Sequence, residues 1–134
     1  MCVISIIENE NQIASKKCTQ LMWNTNPHGA GFGKFDKKEK CIYIKKGIDL
    51  NEINRLTQIA KKEGNMSMIQ HYRIASVGSH DNKDLTHGFE IKNGSSNDLE
   101  YYTNNDVLWH NGTIDMDTLN DIAKDIMIKN SDAI

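Results

Sequence analysis

The sequence predicts a single α+β domain covering residues 1–134. A chain of this length is the size of one ordinary domain and is long enough to bury a core. Short β-branched apolar runs indicate strands, and apolar residues at helical spacing behind capping residues indicate helices. The two kinds of segment alternate without repeats, low-complexity tracts or linkers, so we expect them to share one core.

Five apolar or β-branched runs predict strands, at residues 2–7, 32–35, 41–45, 66–74 and 107–109. The first is unusual because the first residues of a chain normally fray, so something must hold this terminus in place. The second and third form a predicted hairpin around a charged turn. A loop with the only proline and several glycines leads into this hairpin, and its small residues indicate that another backbone packs closely there.

Three segments predict helices, at residues 13–22, at residues 50–62 and from Asp115 onward. The middle helix has the clearest signals, since Asp49 and Glu52 have capping-box spacing and Gly64 follows its last turn. The inward side of the first helix is predicted to carry Ile13, Leu21 and Met22. The apolar face of the last helix is predicted to carry Leu119, Ile122, Ala123 and Ile126.

Charge and composition argue against a nucleic-acid or membrane partner. The formal net charge is −2, so no global field attracts DNA or an anionic membrane. The most basic stretch, residues 34–46, carries six lysines but also Asp36 and Glu39, which is typical of a solvated hairpin face. No apolar run approaches the roughly 18 residues of a membrane span. Glu8 and Glu10 directly follow the first apolar run, so we expect no signal peptide.

Cysteine usage indicates a reducing compartment. Cys2, Cys18 and Cys41 form no CxxC pair, and an odd number of cysteines cannot make a closed disulfide framework. Disulfides persist in oxidising compartments and are rare in the cytosol. We therefore expect a cytoplasmic protein.

Cys2 is the first candidate for chemistry. A lone cysteine is more often a small buried hydrophobic residue than a nucleophile. At position two, however, removal of Met1 would leave a thiol and a free α-amine on the same residue. That amine has an ordinary pKa of about 7.7–8.0, so it can act as a general base near neutrality without a histidine. A nucleophile activated by its own N-terminal amine is a known catalytic arrangement.

Arg73 and the run His110-Asn111-Gly112 are the next candidates. Arg73 lies at a predicted strand end, where its permanent charge needs an anionic partner. That partner is either an internal carboxylate or a ligand carboxylate held by the planar guanidinium fork. Asn-Gly is either a plain hairpin turn or a pair of N–H donors suited to an oxyanion hole.

A metal site is not expected from the histidines. His71, His80, His87 and His110 show neither HExxH spacing nor the paired spacing of zinc ligands.

Taken together, these motifs resemble class II glutamine amidotransferases. The family opens with Met-Cys and an apolar strand, as Met1 and Cys2 do here. The other matching segments, in family order, are residues 26–33 (Asn-Pro-His-Gly-Ala-Gly-Phe-Gly), 71–78 (His-Tyr-Arg-Ile-Ala-Ser-Val-Gly), 87–89 (His-Gly-Phe), 110–114 (His-Asn-Gly-Thr-Ile) and 131–132 (Ser-Asp). They cover almost the whole chain.

The resemblance implies a glutaminase. Cys2 would be the nucleophile and its α-amine the base, and the products would be glutamate and ammonia by way of a thioester, with no metal or organic cofactor. Arg73 would bind the α-carboxylate of glutamine, with Ser76 and His110 also in the substrate site, and Asp132 would pair with the ammonium group. Asn111 and Gly112 would form the oxyanion hole.

The resemblance also implies an N-terminal-nucleophile hydrolase fold, a four-layer αββα sandwich. The chain ends two residues after Asp132, where family domains continue, so we expect the sandwich to be incomplete at its C-terminus. Uncovered strand edges then predict a homodimer or a partner that activates the ammonia acceptor.

Two positions depart from the family pattern and leave other interpretations of the function open. Val77 replaces a histidine and Gly88 replaces a proline. The alternatives are a degenerate, non-catalytic binding module and an N-terminal-nucleophile enzyme that acts on another amide.

Overall fold

The computed structural model describes residues 2–65, 67–75, 81–91 and 98–111, together with Asp117, Asp121 and Lys124. Within these residues the fold is α+β, with two α-helices and two antiparallel sheets. The strands are β1 Val3–Ile7, β2 Ala30–Asp36, β3 Cys41–Ile48, β4 Met68–Tyr72, β5 Phe89–Glu90, β6 Glu100–Thr103 and β7 Val107–Leu108. The helices are α1 Lys16–Thr25 and α2 Leu50–Lys62, and short 3₁₀ turns lie at Glu10–Gln12 and Lys83–Leu85.

The larger sheet has the strand order β1-β4-β2-β3-β6, and each neighbouring pair is antiparallel. Tyr72 at the end of β4 lies opposite Val3 of β1 and opposite Ala30 of β2. The beginning of β1, the end of β4 and the beginning of β2 therefore meet at one end of the sheet. β4 lies between β1 and β2 at this end, and its pairing with β1 holds the N-terminal strand in place.

Helices α1 and α2 cover one face of this sheet, which we call the helix face. The core there is built from alternate strand residues and from the inner side of α2, as expected for strands with one apolar face. Its members are Ile7, Ala30, Phe32, Tyr43, Ile53, Leu56, Ala60, Met68 and Tyr72.

The opposite face of the sheet receives the second sheet, which pairs β5 with β7. Gly31 and Gly33 lie two residues apart on β2 and so present the same face. A Cβ at Gly31 would lie 1.6 Å from the carbonyl oxygen of His87, and one at Gly33 would lie 2.9 Å from the ring of Trp109. The missing side chains therefore create the space into which the second layer packs, as the small residues predicted.

The predicted hairpin and the middle helix are confirmed. β2 and β3 pair from Ala30 to Ile48, longer than predicted at both ends. Asp49 is the N-cap of α2, and its carboxylate accepts from the backbone N–H of Glu52 at 2.9 Å. Gly64 ends α2 with φ +70, a left-handed conformation that glycine adopts without steric cost.

The prediction for the first helix is wrong in its bounds and in Leu21, whereas Met22 and, just before the helix, Ile13 pack against the core as predicted. The helix begins at Lys16 because Ser15 caps it, accepting from the N–H of Cys18 at 3.2 Å. Thr19 is buried, and Met22 and Trp23 pack against the core, a spacing of i, i+3 and i+4. Leu21 falls outside this stripe and is 65% exposed.

Other differences are smaller. The strand predicted to continue to residue 74 ends at Tyr72. Strands β5 and β6 were not predicted. Of the predicted last helix, Asp117, Asp121 and Lys124 are helical, and its other positions, including Asp115, lie outside the described residues.

Replacing Gly31 by alanine tests the close packing of the two layers. We expect Gly31→Ala to lower the free energy of unfolding by about 3 kcal/mol or more, because the new methyl group meets a backbone oxygen that cannot swing aside. Gly64→Ala is the control. Its Cβ would meet nothing within 4 Å, so we expect the free energy of unfolding to fall by only about 1–2 kcal/mol, because alanine is strained in the left-handed conformation. Urea denaturation measures both. A smaller loss for Gly31→Ala than for Gly64→Ala would contradict this packing.

Candidate functional site

Cys2 and Arg73 lie side by side at the end of the larger sheet. Val3 pairs with Tyr72, so the same register places Cys2 opposite Arg73. Strand alternation puts both side chains on the face that carries the second sheet. Cys2 is partly exposed, and its Sγ donates to the carbonyl of Ile74 at 3.7 Å. The structure thus brings together the predicted nucleophile and the predicted carboxylate-binding residue, which are 71 positions apart in the sequence.

The segment that follows β4 is held by the loop before β2. The N–H of Arg73 donates to the carbonyl of Gly29 at 2.9 Å, and the N–H of His28 donates to the carbonyl of Arg73 at 3.0 Å. The N–H of Ala75 donates to Nδ1 of His28 at 2.7 Å. This ladder continues the β2–β4 pairing and fixes the backbone on both sides of Arg73.

The Arg73 side chain is 4% exposed, and its Nη1 donates to the carbonyl of His28 at 3.4 Å. A guanidinium keeps its charge when buried and presents five donors in a planar fork. By the register of β1 and β4, Arg73 lies one strand away from Cys2.

Three imidazoles pack together beside this pair, and two of them are stacked. The rings of His71 and His87 are parallel with centroids 3.9 Å apart, and His110 lies 4.2 Å from His87. The N–H of His110 donates to Nδ1 of His87 at 3.2 Å, and the N–H of His87 approaches Nδ1 of His71 at 3.5 Å. These contacts connect β4, the loop before β5 and the segment after β7. We call His71, His87 and His110 the histidine stack.

Burial keeps two members of the stack neutral. Desolvation lowers the pKa of His71 to about 4, assisted by the charges of His110 and Arg73. Desolvation lowers the pKa of His87 to about 3, assisted first by His71 and then by His110, Lys46 and Arg73. Two charged rings at 3.9 Å would repel each other, whereas neutral rings can stack and accept hydrogen bonds.

The segment after β7 is positioned by Trp109 and the stack. The Trp109 ring lies against Gly33 and Gly88, at distances that leave no room for a Cβ on either glycine. His110 is then tied to His87, and Asn111 follows at an exposed position. The predicted oxyanion residue Asn111 therefore directly follows a residue that the histidine stack holds in place.

Three predicted site residues, Ser76, Gly112 and Asp132, lie outside the described residues, as does Val77. The sequence reasoning missed His28, whose ring and backbone bind the segment after Arg73. His28 was visible only as part of a loop motif, since its partners lie 45 to 47 positions away.

A cleft of about 800 Å³ opens beside this end of the sheet and shares His28 and Gly29 with it. Its lining includes positively charged and negatively charged side chains, namely Lys45, Arg55 and Lys83, and Asp49, Glu52 and Asp81. Cys2 is not part of its lining, so the cleft adjoins the Cys2–Arg73 pair without containing the thiol.

The described residues contain no group of three or more His, Cys, Asp or Glu side chains arranged to hold a metal ion. The described helices include none that is long and apolar enough to cross a membrane. All three cysteines are free thiols.

No protein family model matches the chain, and no curated protein or solved structure is significantly similar to it. The likeness to class II amidotransferases therefore rests on the sequence motifs alone.

The histidine stack predicts a pH-dependent stability. The unfolded imidazole of His71 binds a proton near pH 6.5 but the folded one only near pH 4, so the unfolded state binds more protons between these values. The contribution of His71 is fully present above pH 6.5 and is lost as the pH falls toward 4. His71→Gln, which cannot titrate, should reduce the slope of unfolding free energy against pH in this window by about 1.4 kcal/mol per pH unit. Urea denaturation at several pH values measures both slopes. Identical slopes for the parent and His71→Gln would show that folding does not lower the pKa of His71.

Proposed function

We propose that this chain is a glutaminase of the class II amidotransferase type, with the αββα fold of N-terminal-nucleophile hydrolases. One observation carries the proposal: the register of the neighbouring strands β1 and β4 places Cys2 opposite Arg73. In this enzyme the side-chain amide of glutamine is hydrolysed to give glutamate and ammonia, and the ammonia passes to a separate acceptor.

The chemistry begins with the processed N-terminus. Once Met1 is removed, the α-amine of Cys2 takes the thiol proton as the sulfur attacks the amide carbon. The tetrahedral intermediate collapses to a γ-glutamyl thioester, and the amine returns the proton to the departing ammonia. Water then hydrolyses the thioester and restores the thiol. The partly exposed thiol, bonded only weakly to the Ile74 carbonyl, is able to turn toward a substrate.

Arg73 supplies the recognition of the amino-acid end. Facing residues on neighbouring antiparallel strands have Cα atoms about 4.5–5.5 Å apart. A glutamine whose α-carboxylate binds Arg73 can therefore extend its two methylenes along the sheet to reach Cys2. The backbone ladder from Gly29 and His28 keeps Arg73 in place, and a preorganised fork loses less entropy on binding a carboxylate.

The oxyanion formed during attack needs fixed N–H donors. Asn111 follows a segment held by Trp109 and the histidine stack, and Gly112 comes next in the chain. His110 and Ser76 complete the proposed substrate site, and Asp132 is the proposed partner of the ammonium group. An acceptor-activating protein and a cytoplasmic location belong to the same proposal, the latter supported by the three free thiols.

Replacing Cys2 tests the proposal. In protein shown by intact mass to lack Met1, Cys2→Ala should reduce glutamate release at least about 10³-fold while circular dichroism stays unchanged, because only the nucleophile is lost. Cys18→Ala is the matched control, since Cys18 is exposed on α1 and should leave activity intact.

Turnover by folded Cys2→Ala within tenfold of the parent would contradict the role of the thiol. If the parent with a free Cys2 amine binds glutamine in calorimetry but releases no glutamate, the chain is the non-catalytic binding module instead.

A further inference from the structure

Within the described residues, β1 is an edge strand of the larger sheet. β1 pairs with β4 on one side, and within the described part of the chain no strand pairs with its other side. Edge strands normally carry a charge, a proline or a bulge that blocks further pairing. The five residues of β1, Val-Ile-Ser-Ile-Ile, contain none of these, and Ile6 is 65% exposed. An edge of this kind is suited to accept another strand.

We propose that the strand it accepts is β1 of a second copy of this chain, in an antiparallel pair centred on Ser5. Val3 then faces Ile7, and Ile4 faces Ile6, so every residue of β1 has a partner. Each of these pairs joins residues of the same parity, and residues of one parity point their N–H and C=O groups toward the same edge. The pairing is therefore compatible with the hydrogen bonds to β4, whichever parity points outward.

The side chains also match across this pair. A two-fold axis perpendicular to the sheet keeps like faces together, so Ile4 and Ile6 of both copies meet on the face away from the helices. Cross-strand pairs of β-branched residues stabilise sheets, and no like charges oppose each other. A different kind of partner strand would have to supply a similarly uncharged and mostly apolar sequence, which β1 itself already has.

An apolar groove continues from this edge. Ile6 lines a cavity of about 580 Å³ together with Ile42, Ile44, Ile69, Val107 and Trp109. In the paired form the exposed Ile6 is covered by Ile4 of the second copy, which closes the side of the groove nearest the edge. Counted from the described strands, the joined sheet would have ten strands, within the usual size of open sheets.

The pairing also brings a residue to the candidate site, a consequence that rests on the proposed function. Extending the register by one position places Cys2 opposite Glu8 of the second copy. Glu8 is exposed, and its carboxylate could orient the neutral α-amine of the processed Cys2 by accepting a hydrogen bond from it. Association through β1 would thus complete the surroundings of the amine in each copy.

The first test is association measured by sedimentation velocity with the full chain. We expect the parent to dimerise and Ile6→Lys to weaken the dimer by at least about tenfold, because a charge would face Ile4 of the second copy. Leu21→Lys is the matched control. Leu21 is as exposed as Ile6 but lies on α1, so the dimer affinity of this variant should equal that of the parent. A parent that stays monomeric up to its solubility limit, or equal dimers in both variants, would overturn the proposal.

The second test identifies the contact. In a chain with Cys2→Ser and Cys18→Ser, Ser5→Cys should form an intermolecular disulfide on mild oxidation, since Ser5 lies on the two-fold axis. Gln20→Cys, exposed on α1, should not. A dimer without the Ser5→Cys cross-link would mean that the copies meet elsewhere. Neither test measures glutamine turnover, so a failure of the proposed function leaves both results interpretable.

Discussion

Close packing on β2 at Gly31 and Gly33 is the constraint on which the rest of the described structure depends. Two side chains are missing from one face of a central strand, and the carbonyl of His87 and the ring of Trp109 occupy the space. Any larger residue would push the second layer away from the sheet. The contact therefore sets where the segments before β5 and after β7 lie, and both segments carry motif residues.

The histidine stack connects these two segments to the candidate site. His71 projects from β4, and His87 and His110 reach it from the two segments that rest on the glycines. Because burial keeps His71 and His87 neutral, their rings can stack and accept N–H groups. Arg73 lies two residues beyond His71 on the same face. Cys2 lies across from Arg73. Cys2, Arg73 and the segment that ends at Asn111 are thus linked by strand pairing, ring packing and hydrogen bonds.

Sequence reasoning succeeded where local signals and structure agree. The cap at Asp49, the glycine at residue 64 and the β2–β3 hairpin depend on neighbours within a few positions, so propensity and turn chemistry predict them. Leu21 was misplaced because Ser15 starts α1 later than the apolar pattern indicated. Strand β6 was missed because its stability comes from distant partners: Tyr102 faces Tyr43, whose hydroxyl donates to Glu100 at 2.6 Å. The contacts of His28 and of the histidine stack are equally non-local, and no spacing rule predicts them.

Covalent labelling by a glutamine analogue that carries an electrophilic ketone in place of the amide tests the central claim most directly. Peptide mass mapping of the processed protein should find the adduct on Cys2 and not on the exposed Cys18. Labelling should saturate with analogue concentration, and Arg73→Lys should require about tenfold or more analogue for the same rate, because the bidentate contact is lost. Labelling of Cys2 and Cys18 at similar, non-saturating rates, unaffected by Arg73→Lys, would contradict a glutamine site built from Cys2 and Arg73.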